Sequence, residues 1–110
     1  MIVLLRIVFL LVLGAMLAVT LWASDQVALW NTPREVLAHP WFIATLFDTY
    51  FAFLTFWLWV ASRERSWAAR LAWLLAILLL GNIAMATYLL IRLFRLPADA
   101  KIERLLLREP

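Results

Sequence analysis

A chain of 110 residues that is 67% hydrophobic and only 15% charged has more apolar side chain than one small water-soluble core can cover. This composition excludes a soluble enzyme and a disordered tail. With no cysteine and a single histidine, His39, it also excludes a disulfide framework, thiolate chemistry and any site needing two imidazoles. The formal charge of +3 is scattered along the chain, which excludes a nucleic-acid face and leaves a lipid bilayer as the expected surroundings.

Charged residues avoid three apolar runs, 7–23, 41–61 and 71–91, which between them contain only Asp48. A helix needs about 20 residues to cross roughly 30 Å of hydrocarbon, and a backbone in lipid must satisfy its own hydrogen bonds. The first run predicts a helix over about 3–23. Arg6 would suit the flank of a signal peptide, but Leu21 and Trp22 stand where a cleavage site wants small residues. A retained signal anchor is therefore expected. In the loop that follows, Thr32, Pro33, Arg34 and Glu35 read as a capping box that starts a short interfacial helix over 33–38. His39 before Pro40 ends it, because the residue before proline avoids helical geometry.

The second run predicts a helix over 41–61 and the third a helix over 70–93. After Pro97, residues 98–108 read as an amphipathic helix in the interface plane, with Ile102, Leu105 and Leu106 on one side. Trp22, Trp41, Trp59, Trp67 and Trp73 lie near the ends of the runs, where indole rings anchor a helix at the headgroup level. The expected fold is thus a single all-α integral membrane domain over 1–110: three transmembrane helices in an antiparallel bundle, a short interfacial helix in the first loop and an amphipathic C-terminal helix.

Three spans would place the amino terminus and the 62–70 loop on one side and the tail on the other. Basic residues near helix ends then divide between the two sides, Arg6, Arg63, Arg65 and Arg70 against Arg34 and the five of the tail. Arg6 ahead of the first apolar run and the shortness of the 62–70 loop favour those two segments as cytoplasmic. The compartment expected is a bacterial inner membrane.

Asp48 is the most informative residue. A carboxylate at membrane depth costs about 2.5–3.5 kcal/mol even on insertion scales. With Ala44, Ala52, Thr55 and Ser62 it forms a small, polar stripe expected to face other helices, while Phe42, Leu46, Tyr50, Phe53, Trp57 and Val60 face lipid. In an antiparallel third helix Asn82, Ala86 and Thr87 would come level with Asp48, and Gly81, Ala84 and Tyr88 would make a second contact face. A hydrogen bond from Asp48 to Asn82 or Tyr88 is expected, with Gly14 and Ala18 of the first helix allowing close approach. The three serines lack a histidine at triad spacing, and the two glycines make no phosphate loop.

His39, Pro40, Trp41 and Phe42, then Thr45 to Asp48 and Tyr50, then Trp59, Val60, Ala61 and Glu64, together with Gly81 to Ala84 and Tyr88, resemble a family of small multi-span membrane proteins of bacteria and plants. That family is a domain of unknown function. The resemblance covers about residues 38–92, implies a multi-span protein, singles out Asp48, Gly81 and Asn82, and transfers no activity.

The function expected is non-enzymatic: an accessory or scaffolding subunit of a larger membrane complex, with lipid, other membrane-protein subunits or a second copy as partners, no nucleic acid, no metal and no required cofactor. Two alternatives stay open. One is a homo-oligomeric small transporter or proton-coupled carrier using Asp48. The other is a binder of a quinone or carotenoid walled by Phe51, Phe56, Trp57 and Trp59, with a structural lipid as a further possible ligand.

Overall fold

The first helix, α1 (Ile2–Gln26), has 25 residues, about 37 Å at 1.5 Å per residue, apolar but for Arg6 and Thr20 until it ends on Ser24, Asp25 and Gln26. A computed structural model describes residues 1–107. After α1 comes a 3-10 turn, Leu29–Asn31, closed by Thr32, whose backbone N–H and hydroxyl both donate to Leu29 O, the hydroxyl at 2.7 Å. The single turn α2 (Arg34–Leu37) has Pro33 at its cap position and no side-chain cap bond. The expected capping box is therefore not made, because the Thr32 hydroxyl is spent on the preceding turn. His39 does more than break the chain. Its Nδ1 accepts the Trp41 N–H at 3.2 Å and caps α3 (Pro40–Arg63), with Pro40 fitting the first turn, where no N–H is needed.

Extended backbone at Glu64 ends α3, and Ser66 caps α4 (Trp67–Leu80) by accepting from the Ala69 N–H. The helix expected over 70–93 is then interrupted. Gly81 has φ 58° and ψ −125°, and α5 (Asn82–Phe94) runs back along the path of α4. Trp73 and Tyr88 have ring centroids 4.9 Å apart, whereas fifteen residues of straight helix would separate them by roughly 22 Å. The hydropathy of 71–91 is continuous, so its length suggested a span. The backbone reversal at Gly81 makes it a hairpin instead, with Phe53 of α3 packed against the glycine.

The hairpin resets every register. α3 and α4 are antiparallel, tied by Trp57 Nε1 donating to Arg70 O at 2.8 Å and the Tyr50 hydroxyl reaching Leu78 O at 3.4 Å. α5 runs parallel to α3, since Phe53 meets Gly81 and Trp59 meets Tyr88. α1 lies antiparallel to α5: Ile2 packs with Leu93, while Val12 shares a cavity of about 260 Å³ with Asn82. Among the described residues Asp48 therefore has no bond to Asn82 or Tyr88, because α5 does not descend past it as an antiparallel third helix would.

The sequence reading of the faces of α3 holds for Leu46 and Tyr50, which are exposed, and is overturned from Phe53 onward. Phe53 and Val60 are buried and Trp57 is half-buried, packed toward the hairpin, while Ala44, Asp48, Ala52, Thr55 and Ser62 are exposed. Bulky aromatics fill the space around Gly81 and Tyr88 better than a small, polar stripe could, and burial of large rings dominates such a core. Gly14 and Ala18 are likewise exposed, with nothing within 4 Å of a Cβ placed on Gly14.

α6 (Ile102–Leu106) follows Pro97. Of the three apolar residues expected on one face, Leu105 alone is buried, in a cluster with Ile2, Leu93 and Leu96. The tail thus docks on the bundle's end, and Arg108, the last residue of the predicted segment, lies outside the described residues. Two helices, α1 and α3, are long and apolar enough to cross a membrane; α4 and α5 are apolar but shorter.

Candidate functional site

Most of the arginines of the molecule gather at one end, where α1 begins, α3 gives way to α4 and α5 ends. Glu64 is the hub. Its carboxylate accepts the Tyr88 hydroxyl at 3.0 Å and forms an ion pair with Arg92 Nη2, and its backbone carbonyl accepts Arg70 Nε at 2.9 Å. The side chains of Arg92 and Glu64 are 17% and 13% exposed, so the pair is largely shielded from water. Tyr88 and Arg92 share one face of α5 by their four-residue spacing, and the Arg92 guanidinium lies 5.2 Å from the Tyr88 ring centre. Tyr88 itself is wholly buried, edge-on to Phe56, Trp59 and Trp73. The carboxylate, phenol and guanidinium clasp the α3–α4 linker to α5 and hold the hairpin shut.

Two further arginines close helix ends. Arg6 of α1 donates to Leu93 O and to Leu96 O, the latter at 2.7 Å, and so ties the start of α1 to the last turn of α5 and the segment just after it. Arg63, only 6% exposed, donates from Nη1 to Arg104 O at 3.2 Å and Leu107 O at 2.7 Å at the end of α6, assisted by Trp59 Nε1 on Leu106 O at 3.0 Å. The sequence reading treats these arginines as markers of orientation; in the folded chain they are structural. Arg63, Arg92, Arg95 and Arg104 also line one cavity of about 350 Å³.

Of the residues singled out from the sequence, Tyr88 belongs to this assembly, and Gly81 lies at the tip of the hairpin against Phe53. Asp48, Thr55 and Asn82 are exposed elsewhere, and the Thr55 hydroxyl is turned back onto Phe51 O. Trp22, Trp41 and Trp67 are exposed as interface anchors would be. Trp59 and Trp73 are instead half-buried against Tyr88, because the hairpin brings the ends of α3, α4 and α5 together around it. The aromatic wall proposed for a pigment or quinone is divided: Phe56, Trp57 and Trp59 pack inward, and Phe51 is exposed. Sequence reasoning missed Arg92 and Arg63 as site residues. The spacing of Tyr88 and Arg92 on one helix face was the available signal for the first.

A protein-family model described as Protein of unknown function (DUF1475) matches residues 1–109, so the chain belongs to that family over nearly its whole length, beyond the 38–92 stretch that carried the resemblance. No curated protein and no solved structure matches it.

Proposed function

We propose that this member of the DUF1475 family is a non-enzymatic integral membrane protein that crosses the bilayer with α1 and α3, inserts the α4–α5 hairpin part-way from the basic end, and serves as an accessory subunit bound to another membrane protein. The apolar surface supports membrane insertion: Leu10, Leu11, Leu17 and Leu21 of α1 and Phe47, Phe51 and Leu58 of α3 are all exposed. α4 and α5, 14 and 13 residues long, reach roughly 20 Å, short of a 30 Å hydrocarbon layer.

Charge supports the orientation. In a two-span arrangement Arg6, the 62–70 loop and the tail lie on one side, leaving Arg34 as the basic residue of the other among those described. The near-even split expected for three spans becomes a lopsided one, which favours the basic end as cytoplasmic. The tail joins the amino terminus there.

The observation that carries the accessory role is Asp48. It lies eight residues into α3, about 12 Å along the helix, exposed and without a hydrogen bond or ion pair among the described residues. A carboxylate in that position costs several kcal/mol in lipid unless another chain covers it. The small residues Ala44 and Ala52 beside it allow a helix to come close. Native mass spectrometry from membranes should find the chain in a complex of fixed stoichiometry, and Asp48→Ala should release the partner while helical content is unchanged. A wild-type protein that leaves native membranes as a monomer would refute this reading.

A further inference from the structure

We propose that the cavity lined by Arg63, Arg92, Arg95 and Arg104 is a binding site for a phosphate group, supplied by the headgroup of an anionic phospholipid or by a soluble phosphate compound. The inference goes beyond the accessory role and is independent of it; only the headgroup source rests on the membrane placement proposed above.

Four guanidiniums line about 350 Å³, and the carboxylate that pairs with one of them is Glu64. Arginine does not shed its proton at any ordinary pH, so the group cannot relieve its own repulsion by neutralising. Like charges brought together around one cavity are stabilised by a counter-anion, and the planar, multi-donor guanidinium matches phosphate oxygens. Two further observations point to a missing acceptor. Arg63 is 94% buried by its 6% exposure, and its Nε is buried without a hydrogen-bond partner among the described residues. Arg92 Nε is buried and unpartnered in the same way. A buried donor left unmade is costly, so such groups mark places where a ligand completes the structure.

Arg95 and Arg104 are exposed, and their side chains make no hydrogen bond or ion pair among the described residues. They are free to close on an anion from outside, while Arg63 and Arg92 form the fixed floor. The cavity falls within the size of small-ligand sites, roughly 300–1,000 Å³. Basic pockets beside membrane helices on the cytoplasmic side are where anionic headgroups bind.

The test uses the full chain. Native mass spectrometry after reconstitution with equal phosphatidylglycerol and phosphatidylcholine reads lipid preference, and inorganic phosphate titrated in neutral detergent reads the soluble alternative by thermal shift. Arg95→Gln/Arg104→Gln is the informative variant, because neither side chain supports the fold; Arg63→Gln is the second, expected to weaken the tail as well. A phosphatidylglycerol preference lowered roughly tenfold by the double variant, at unchanged melting temperature, establishes the headgroup source. A millimolar or tighter response to inorganic phosphate that the double variant loses establishes the soluble source. Equal retention of both lipids with no phosphate response, or a double variant that binds like wild type, overturns the proposal. A chain that fails to co-purify with any partner yet passes this test would sink the accessory role alone.

Discussion

Replacing Gly81 by alanine separates a hairpin from a continuous helix by the sign of its effect. In an unbroken helix over 70–93, alanine would remove the flexibility of glycine and stabilise the chain by about 1 kcal/mol. In the observed fold the same change meets two obstacles. The backbone at φ 58° and ψ −125° is a conformation that residues with a Cβ adopt at a cost of about 1–3 kcal/mol. The added Cβ would also lie 2.7 Å from Phe53 Cζ and 3.3 Å from Cε2, and forcing such an overlap into a packed core costs about 1–3 kcal/mol. Gly81→Ala should therefore destabilise by roughly 2–6 kcal/mol. Reversible unfolding in mixed detergent–SDS micelles, followed by far-ultraviolet circular dichroism, measures it. Combining the change with Phe53→Leu should recover the steric share and leave the backbone share, which appears as a coupling energy in a double-mutant cycle. A neutral or stabilising Gly81→Ala would refute the hairpin.

The hairpin also fixes sidedness. Because the chain lacks cysteine, single cysteines at Ala68, Ala98 and Asn31 give a clean labelling test; Ala68→Cys and Ala98→Cys should react with an impermeant maleimide from the same side and Asn31→Cys from the opposite one. Labelling of positions 68 and 98 from opposite sides would restore a third span. Tyr88→Phe keeps the buried ring and loses its bond to Glu64, so it should cost about 1–2 kcal/mol in the same unfolding assay, whereas Arg92→Gln strands the shielded carboxylate and should cost more, roughly 2–4 kcal/mol. Equal losses for the two would mean that the ion pair contributes nothing beyond the phenol bond. Arg6→Gln removes the donor to the carbonyls of Leu93 and Leu96 and should speed amide hydrogen exchange at the end of α5 and in the tail, with the tip of the hairpin unaffected.

Much of the candidate site was hidden from sequence for one reason. Hydropathy reports what a segment can touch, not which way the backbone turns. Gly81 was singled out as a small residue for helix contact, and it does pack closely, but against Phe53 at a reversal. Tyr88 was placed on a contact face and is the most enclosed aromatic ring of the bundle; its partner became Glu64 because α5 runs parallel to α3. The exposed placement of Asp48 has the same origin, since the hairpin stops short of the part of α3 that carries it.

By itself the sequence determined the all-helical character, the apolar lengths of α1 and α3, the break at His39 and Pro40, and the clustering of charge outside the apolar runs. These follow from composition and local chemistry: apolar side chains need a covered or lipid environment, and proline and capping groups act within a few residues. Only the tertiary structure decided that the third apolar run doubles back, which face of α3 turns inward, and that arginines scattered over a hundred residues meet at one end. Those outcomes rest on a single glycine conformation and on which rings fill the space beneath it. They are contacts between residues distant in sequence, and no local pattern encodes them.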